Sequence, residues 1–447
     1  MTQTTDRHAD GTADGTADGT AGGTCCEEYE RTAGMSRRRF VAGMAAASGA
    51  AVATTAFGDA LRQTTYAATR GGNVLVVLSL RGGVDGLGMV VPHGDPGYYA
   101  ARKNTALPAT SLVAADQMFG LHPKMAPLTW LWDAGEMAAV HAVGLEVPNR
   151  SHFLAMEEVE DADPTSSVRR GWVNRMIGLD TGPYAGKPLE AVNLGDPITP
   201  TSLVGPTPVL ATGSLDQIEL AAATGKYAAR RRSQLGTVWR GVPGPLGIAA
   251  RSAMTTVSEV GPVGDKTYKP SVTYPRAYPS AGLSDALKDT AHLIKADIGT
   301  QVVTIDYGSW DMHTDYGTQA WGSMQTMVGG LATVLDAFMR DLGALRSRVT
   351  VVTISEFGRR VAENGSRGLD HGWGNMMLLM GGGVAGGKYY ANWPHLDAAS
   401  LSDGDLKVTT DYRQVLGEVV STRFSGRAAS SVFPGLVYDP IGVMRVT

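Results

Sequence analysis

Five short runs of apolar, largely β-branched or unbranched aliphatic residues constrain this chain more than any other feature: 73–80 (NVLVVLSL), 138–143 (AAVHAV), 301–306 (QVVTID), 349–355 (VTVVTIS) and 375–380 (NMMLLM). Each is bounded by glycine or polar residues, and the runs are near-continuously apolar, so each reads as a strand buried on both faces. Helical patterns lie between them at 151–161, 283–295 and 319–346, the last carrying Met324, Met327, Leu331, Leu335, Phe338 and Leu342 at helical spacing. Strands that alternate with helices and need cover on both faces predict an α/β sandwich with a largely parallel central sheet. Residues 182–282 break this pattern with Gly/Pro-rich stretches such as GDPITPTSLVGPTP and GVPGPLG, and are expected to form an excursion from the sheet.

The amino-terminal part reads differently. Residues 9–20 repeat ADGT three times with no side chain large enough to bury, so 1–34 is expected to be a disordered extension. Ser36-Arg37-Arg38-Arg39-Phe40-Val41, followed by Ala- and Gly-rich apolar sequence to about Phe57 and small residues at Ala67 and Ala68, resembles a twin-arginine export signal. Residues 35–68 are therefore expected to engage the twin-arginine translocase and be removed. That would leave 69–447 as an extracellular or cell-envelope protein. Gly43, Gly49, Thr54 and Thr55 dilute the apolar run too far for a stable membrane span in the mature protein. Both cysteines, Cys25 and Cys26, lie upstream of that signal, which excludes disulfide stapling of the exported part. With 39 Lys and Arg against 43 Asp and Glu, and a net charge of -4, no basic field exists to hold nucleic acid.

In open α/β sheets ligands gather outside the carboxyl ends of the strands, so the residues that follow each apolar run are the informative ones. After the first comes Arg81-Gly82-Gly83-Val84-Asp85-Gly86; after the second, Asn149-Arg150-Ser151-His152; after the third, Trp310-Asp311-Met312-His313; after the fourth, Glu356; before the fifth, Asp370-His371-Gly372. The pairs Asp311/His313 and Asp370/His371 combine carboxylate and imidazole donors, a mixture suited to zinc, manganese or a similar divalent ion, with Asp85 and Glu356 as further carboxylates. Each pair alone fits a loop cap beside a core histidine equally well. Ser151 opens a helix, where free N–H groups and the dipole favour a phosphate or sulfate group, and it is both a candidate nucleophile and an ordinary N-cap. Arg81 and Arg150 are placed to hold an anion, with His152 as a substrate-binding or supporting group. Glu356 can instead pair with Arg359 or Arg360.

The motifs RGGVDGL, GDPGYYAARKNTALP, FGLHPKMAPL, NRSHFLAMEEVED, GWVNRMIG, GSWDMHT, ISEFGRRVAENGSRGLDHGWG and VTTDYRQVLGEVV, spread over about 70–440, resemble the bacterial domain-of-unknown-function 1501 family. That family is typically exported with a twin-arginine leader and is placed in the alkaline-phosphatase-like superfamily, beside sulfatases and phosphopentomutases. The resemblance implies a site for one or two divalent ions, zinc, manganese, magnesium or calcium. One would be held by Asp85, Ser151, Asp370 and His371, the other by Asp311, His313 and a further histidine. The Asp-x-His spacing is narrower than the phosphatase pattern, and His395, in NWPHL, is a poor match to that further histidine. The implied function is an exported hydrolase of small-molecule or cell-envelope phosphate or sulfate esters, with Ser151 attacking phosphorus or sulfur. The alternative is a non-catalytic exported binding protein that retains the phosphatase-like fold.

Overall fold

The computed structural model describes residues 72–183, 185–218, 227–264, 268–318 and 320–445. The expected extension, the export signal and both cysteines lie outside the described residues. All five apolar runs are strands of one nine-stranded sheet: β1 (Val74–Ser79), β4 (Met137–Gly144), β7 (Val302–Asp306), β8 (Val349–Ile354) and β9 (Asn375–Gly381). A small antiparallel pair, β2 (Val90–Val91) and β3 (Gly120–Leu121), stands apart, while β5 (Ala191–Leu194), β6 (Leu210–Thr212), β10 (Lys388–Tyr390) and β11 (Thr410–Asp411) complete the large sheet. Its order is β10-β4-β9-β8-β1-β7-β5-β6, with β11 also on β4.

Pairing is parallel except at β9, which runs antiparallel to both β4 and β8. This reversal has a simple geometric result. The carboxyl ends of β1, β4, β7 and β8 and the amino end of β9 share one edge, so the segment before β9 joins the loops that follow the others.

Residues of β1 alternate between two cores, as the period of a strand requires. Val74, Val76 and Leu78 pack with Leu287 and Ile294 of α5 (Ala281–Ala296) and with Leu331, Leu335 and Phe338 of α6 (Ser323–Leu342). Leu75 and Val77 face Met156 and Val159 of α1 (His152–Asp161), Trp172 and Met176 of α2 (Trp172–Gly178), and Val415 and Val419 of α7 (Tyr412–Arg423). Helices thus cover both faces, an α/β sandwich with a largely parallel sheet.

The stretch 182–282 is not wholly an excursion. Its residues 191–194 and 210–212 form β5 and β6, which extend the sheet in parallel beyond β7. α3 (Ala228–Trp239) and α4 (Gly244–Gly264) lie outside the sheet, around a minor core of Leu235, Met254 and Val257, while Val260 and Val263 of α4 join the main core. No helix among the described residues is long and apolar enough to cross a membrane.

Because Leu75 and Leu78 are both fully buried but on opposite faces of β1, Leu75→Ala and Leu78→Ala are each expected to lower stability by about 2–5 kcal/mol, read from denaturant midpoints. A change near zero for either one would mean that its face is not core.

Candidate functional site

The loop after β1 reaches the loop after β7 at Gly82. Its φ of +108° and the 2.7 Å that a Cβ would leave to the Asp311 nitrogen both require glycine. Its N–H donates to Glu356 Oε1 at 2.7 Å, which brings the loop after β8 to the same point. Around this junction stand three imidazoles and one carboxylate.

His152 Nε2 lies 3.0 Å from His371 Nε2, which lies 3.0 Å from His313 Nε2. Asp311 Oδ1 is 3.1 Å from His313 Nε2 and 3.3 Å from His371 Nε2, while its Oδ2 is 3.5 Å from His152 Nε2. His152, Asp311 and His371 each offer a donor atom within 4.8 Å of the other two. His313 adjoins this trio through Asp311 and His371. Phe357 sits against the rings of His152 and His371, with centroids 4.8 Å away in both cases, and so helps to set their planes.

The opposite nitrogen of every ring is committed. His152 Nδ1 donates to Glu356 Oε1 at 2.8 Å, His313 Nδ1 to Asp370 Oδ1 at 2.8 Å, and His371 Nδ1 to the Arg150 carbonyl oxygen at 2.9 Å. These acceptors have no hydrogen to give, so each Nδ1 carries the proton and each Nε2 turns its lone pair toward the others. Lone pairs that meet at 3.0 Å from His152 to His371 and from His371 to His313, with the Asp311 carboxylate 3.1–3.5 Å from all three, need positive charge among them. Borderline nitrogen donors, one hard oxygen and rings oriented from behind are the donor set of a zinc-type centre, so these residues fit a divalent cation.

The titration behaviour agrees with that need. Burial favours a neutral His152, but hydrogen bonds to Asp311 and Glu356 outweigh it and push its pKa up to about 9. Burial also opposes ionisation of Asp311, yet hydrogen bonds from His152, His371 and Arg359 hold it well below the usual carboxylate range. Glu356 is held low in the same way, against burial, by His152 and the Gly82 N–H. Without a cation, a proton on His152 supplies the missing charge.

The other residues singled out in the sequence have different placements. Asp85, expected as a ligand, has both oxygens spent: Arg102 grips them at 2.5 and 2.8 Å, and Tyr316 donates to Oδ2 at 2.6 Å, in a fully buried pair. Asp370 and Glu356 stand behind His313 and His152 rather than among the facing donors, and Asn364 holds Asp370 Oδ1 at 2.9 Å. His152, read as a substrate-binding or supporting group, is in the trio itself. Arg81 is paired with Glu160 at 2.6 Å and with Asp306, and Arg150 with Asp405 at 2.5 Å and Asp403 at 3.0 Å. Arg359 and Arg360 do not pair with Glu356; they pair with Asp311 and with Asp403 and Asp405. Ser151 is the N-cap residue of α1, and its side chain makes no capping hydrogen bond. His395 lies 3.4 Å from Asp95, a carboxylate that also accepts from Trp393.

His152, Asp311 and Glu356 line a cavity of about 700 Å³. Its wall also carries Arg81, Glu160 and Asp306, together with the exposed side chains of Phe153 and Ile198.

Residues 291–417 match the model of the family described as a protein of unknown function (DUF1501), the family that the sequence motifs resemble. The span holds Asp311, His313, Glu356, Asp370 and His371. No curated protein matches the chain. Among solved structures, the C-terminal periplasmic domain of EcEptC from Escherichia coli, in complex with Zn, is similar at 10% identity and a TM-score of 0.31, over 73% of this chain and 76% of that one. The PsFucS1 sulfatase from Pseudoalteromonas sp. gives 10% identity and a TM-score of 0.32 over 84% and 74%. The lipoteichoic acid synthase LtaP from Listeria monocytogenes gives 10% and 0.32 over 81% and 80%.

Two outcomes separate the facing donors from the residues behind and beside them. His371→Ala is expected to weaken zinc binding more than about 100-fold in a competition titration, whereas Asp85→Asn should leave it within about threefold while lowering stability by about 3–5 kcal/mol. Loss of zinc binding in Asp85→Asn would restore Asp85 to the ligand set. The pH dependence has a definite sign. Zinc must displace the His152 proton below about 9, so apparent affinity should climb by up to about tenfold per pH unit and level off above that value.

Proposed function

We propose that this protein is an exported, divalent-metal-dependent hydrolase of phosphate or sulfate esters, whose reaction takes place in the cavity beside His152, Asp311 and His371. The observation that carries this reading is the set of facing Nε2 atoms and the Asp311 carboxylate, held by fixed hydrogen bonds, two of whose members, His152 and Asp311, line a cavity large enough for a small ester. His152, Asp311 and His371 would hold the cation, with His313 beside them. When bound, a divalent cation there would supply Lewis-acid polarisation of an ester oxygen. Zinc or manganese suits the mixed imidazole and carboxylate donors best.

The chain's own residues define the rest. Ser151, in the turn that opens α1 next to His152, keeps its hydroxyl unspent on capping and is the proposed nucleophile. The first turn of α1 adds free N–H groups and a positive dipole end for the ester's anionic group. Arg81 and Arg150 are already engaged by carboxylates, so neutralisation of that group falls mainly to the cation. Glu157, Glu160, Asp196 and Asp306 line the same cavity. Glu160 is pushed up to about 6, chiefly by burial. An acidic wall of this kind disfavours further anionic charge on the substrate, so the ester's non-reacting part is neutral or cationic.

One observation favours the non-catalytic alternative: His152 and Phe153 line the cavity but Ser151 does not. Turnover of aryl phosphate and aryl sulfate monoesters by zinc- or manganese-loaded protein decides between them. Hydrolysis is expected, lost on chelation and reduced at least about 100-fold in Ser151→Ala, with polyanionic monoesters such as sugar bisphosphates at least about tenfold slower. Full metal binding without turnover of any ester would leave the binding-protein reading.

A further inference from the structure

Asp311 is the most exposed member of the trio, with 41% of its side chain accessible, so packing alone does not set its orientation. What holds it is Arg359, whose own side chain is only 1% exposed. Arg359 Nη2 donates to Asp311 Oδ1 at 2.7 Å. The same guanidinium donates to four backbone carbonyls: Nε to Gly83 at 2.6 Å, Nη1 to Leu369 at 2.9 Å, and Nη2 to Gly82 and to Trp310, the latter at 3.3 Å. Gly82 and Gly83 follow β1, Trp310 precedes Asp311, and Leu369 precedes Asp370 and His371. Arg359 itself follows β8 and forms an isolated antiparallel bridge with His371.

We propose that Arg359 is the positioning residue of the cation site, a buried guanidinium that aims the Asp311 carboxylate at the imidazoles and locks together the loops that carry them. The inference rests on the metal reading above and adds a role that the donor atoms themselves do not reveal. A buried guanidinium requires a counter-charge and acceptors for its five N–H groups, and here Asp311 supplies the first and four carbonyls the second. Its charge alone repels a cation. Its value to the site is therefore geometric: the planar fork reaches Asp311 and three loops at once, which a lysine ammonium on a single flexible stem cannot do.

This separates orientation from electrostatics. Arg359→Lys keeps the positive charge but removes the fork. If Arg359 orients Asp311, cobalt(II) affinity should fall about 10–100-fold, and the visible absorption of the cobalt-loaded protein should change in intensity as the Asp311 contribution is loosened. An unchanged affinity and an unchanged cobalt spectrum in Arg359→Lys, with a wild-type chain that binds cobalt, would overturn the inference alone. A wild-type chain that binds neither cobalt nor zinc would overturn the metal reading and this role together. Should the lysine variant fail to fold, side-chain ¹⁵N–¹H spectra of arginine-labelled wild type give an independent readout. Zinc is expected to shift the Arg359 Nη–H signals while leaving those of Arg102, which is also fully buried, in place. Unmoved Arg359 signals at saturating zinc would overturn the proposal.

Discussion

Parallel pairing of β1 with β7 on one side and β8 on the other determines where the chemistry of this chain can be. Three carboxyl ends are brought side by side, and the reversed β9 adds the segment that carries Asp370 and His371 to the same edge. Because β1 is buried on both faces, its register cannot slip by one residue without exchanging two cores, and the loops it leads are held with it. The close approach at Gly82 is possible only because of that fixed register. A side chain there would push the loop after β1 away from Asp311 and withdraw the N–H that Glu356 accepts.

Charge is the second organising constraint. The facing imidazoles and Asp311 present electron-rich atoms to one another, and the groups behind them, Glu356, Asp370 and the Arg150 carbonyl, are acceptors as well. In this arrangement Arg359 is a fixed positive group against Asp311, its guanidinium spent on Oδ1 and on four backbone carbonyls. The space among the facing Nε2 atoms is left for a proton or a cation. Asp85 and Arg102, by contrast, form a closed buried pair with Tyr316. Burial of both charges is tolerable because each is matched, and nothing there calls for an added ion.

The long strands were readable from the chain because a near-continuous apolar run, short and closed off by glycine or polar residues, suits a strand covered on both faces and little else. The helical runs at 151–161, 283–295 and 319–346 were readable from their spacing. Two things were not. β5 and β6 have four and three residues and lie among prolines, too little for any period to register. The direction of β9 depends on its neighbours rather than on its composition. At the site, the loops that hold Asp311 and His313, and Asp370 and His371, could be named from their position after the third strand run and before the fifth. The distinction between a facing donor and a carboxylate behind a ring could not, because Asp-x-His and Asp-His spacings are compatible with both. Arg359 was illegible as a partner because its acceptor, Asp311, lies 48 positions away in another loop, and the Asp85–Arg102 pair, 17 positions apart, joins two elements whose approach no spacing announces. Within ISEFGRRVAENG, Arg359 looks like any surface arginine.

The nitrogen atoms that face each other on His152 and His371 belong to residues 219 positions apart, and the ring of His371 is steadied by the backbone next to Ser151. No short stretch of the chain contains the complete set. A nascent or denatured chain therefore offers an ion only the local Asp311/His313 or Asp370/His371 fragment, and high-affinity capture must wait until the sheet has closed. If the site takes an ion as proposed, its uptake would in that sense be an event of the finished tertiary structure, and the ion would act as a late clasp across distant loops rather than as a nucleus for folding.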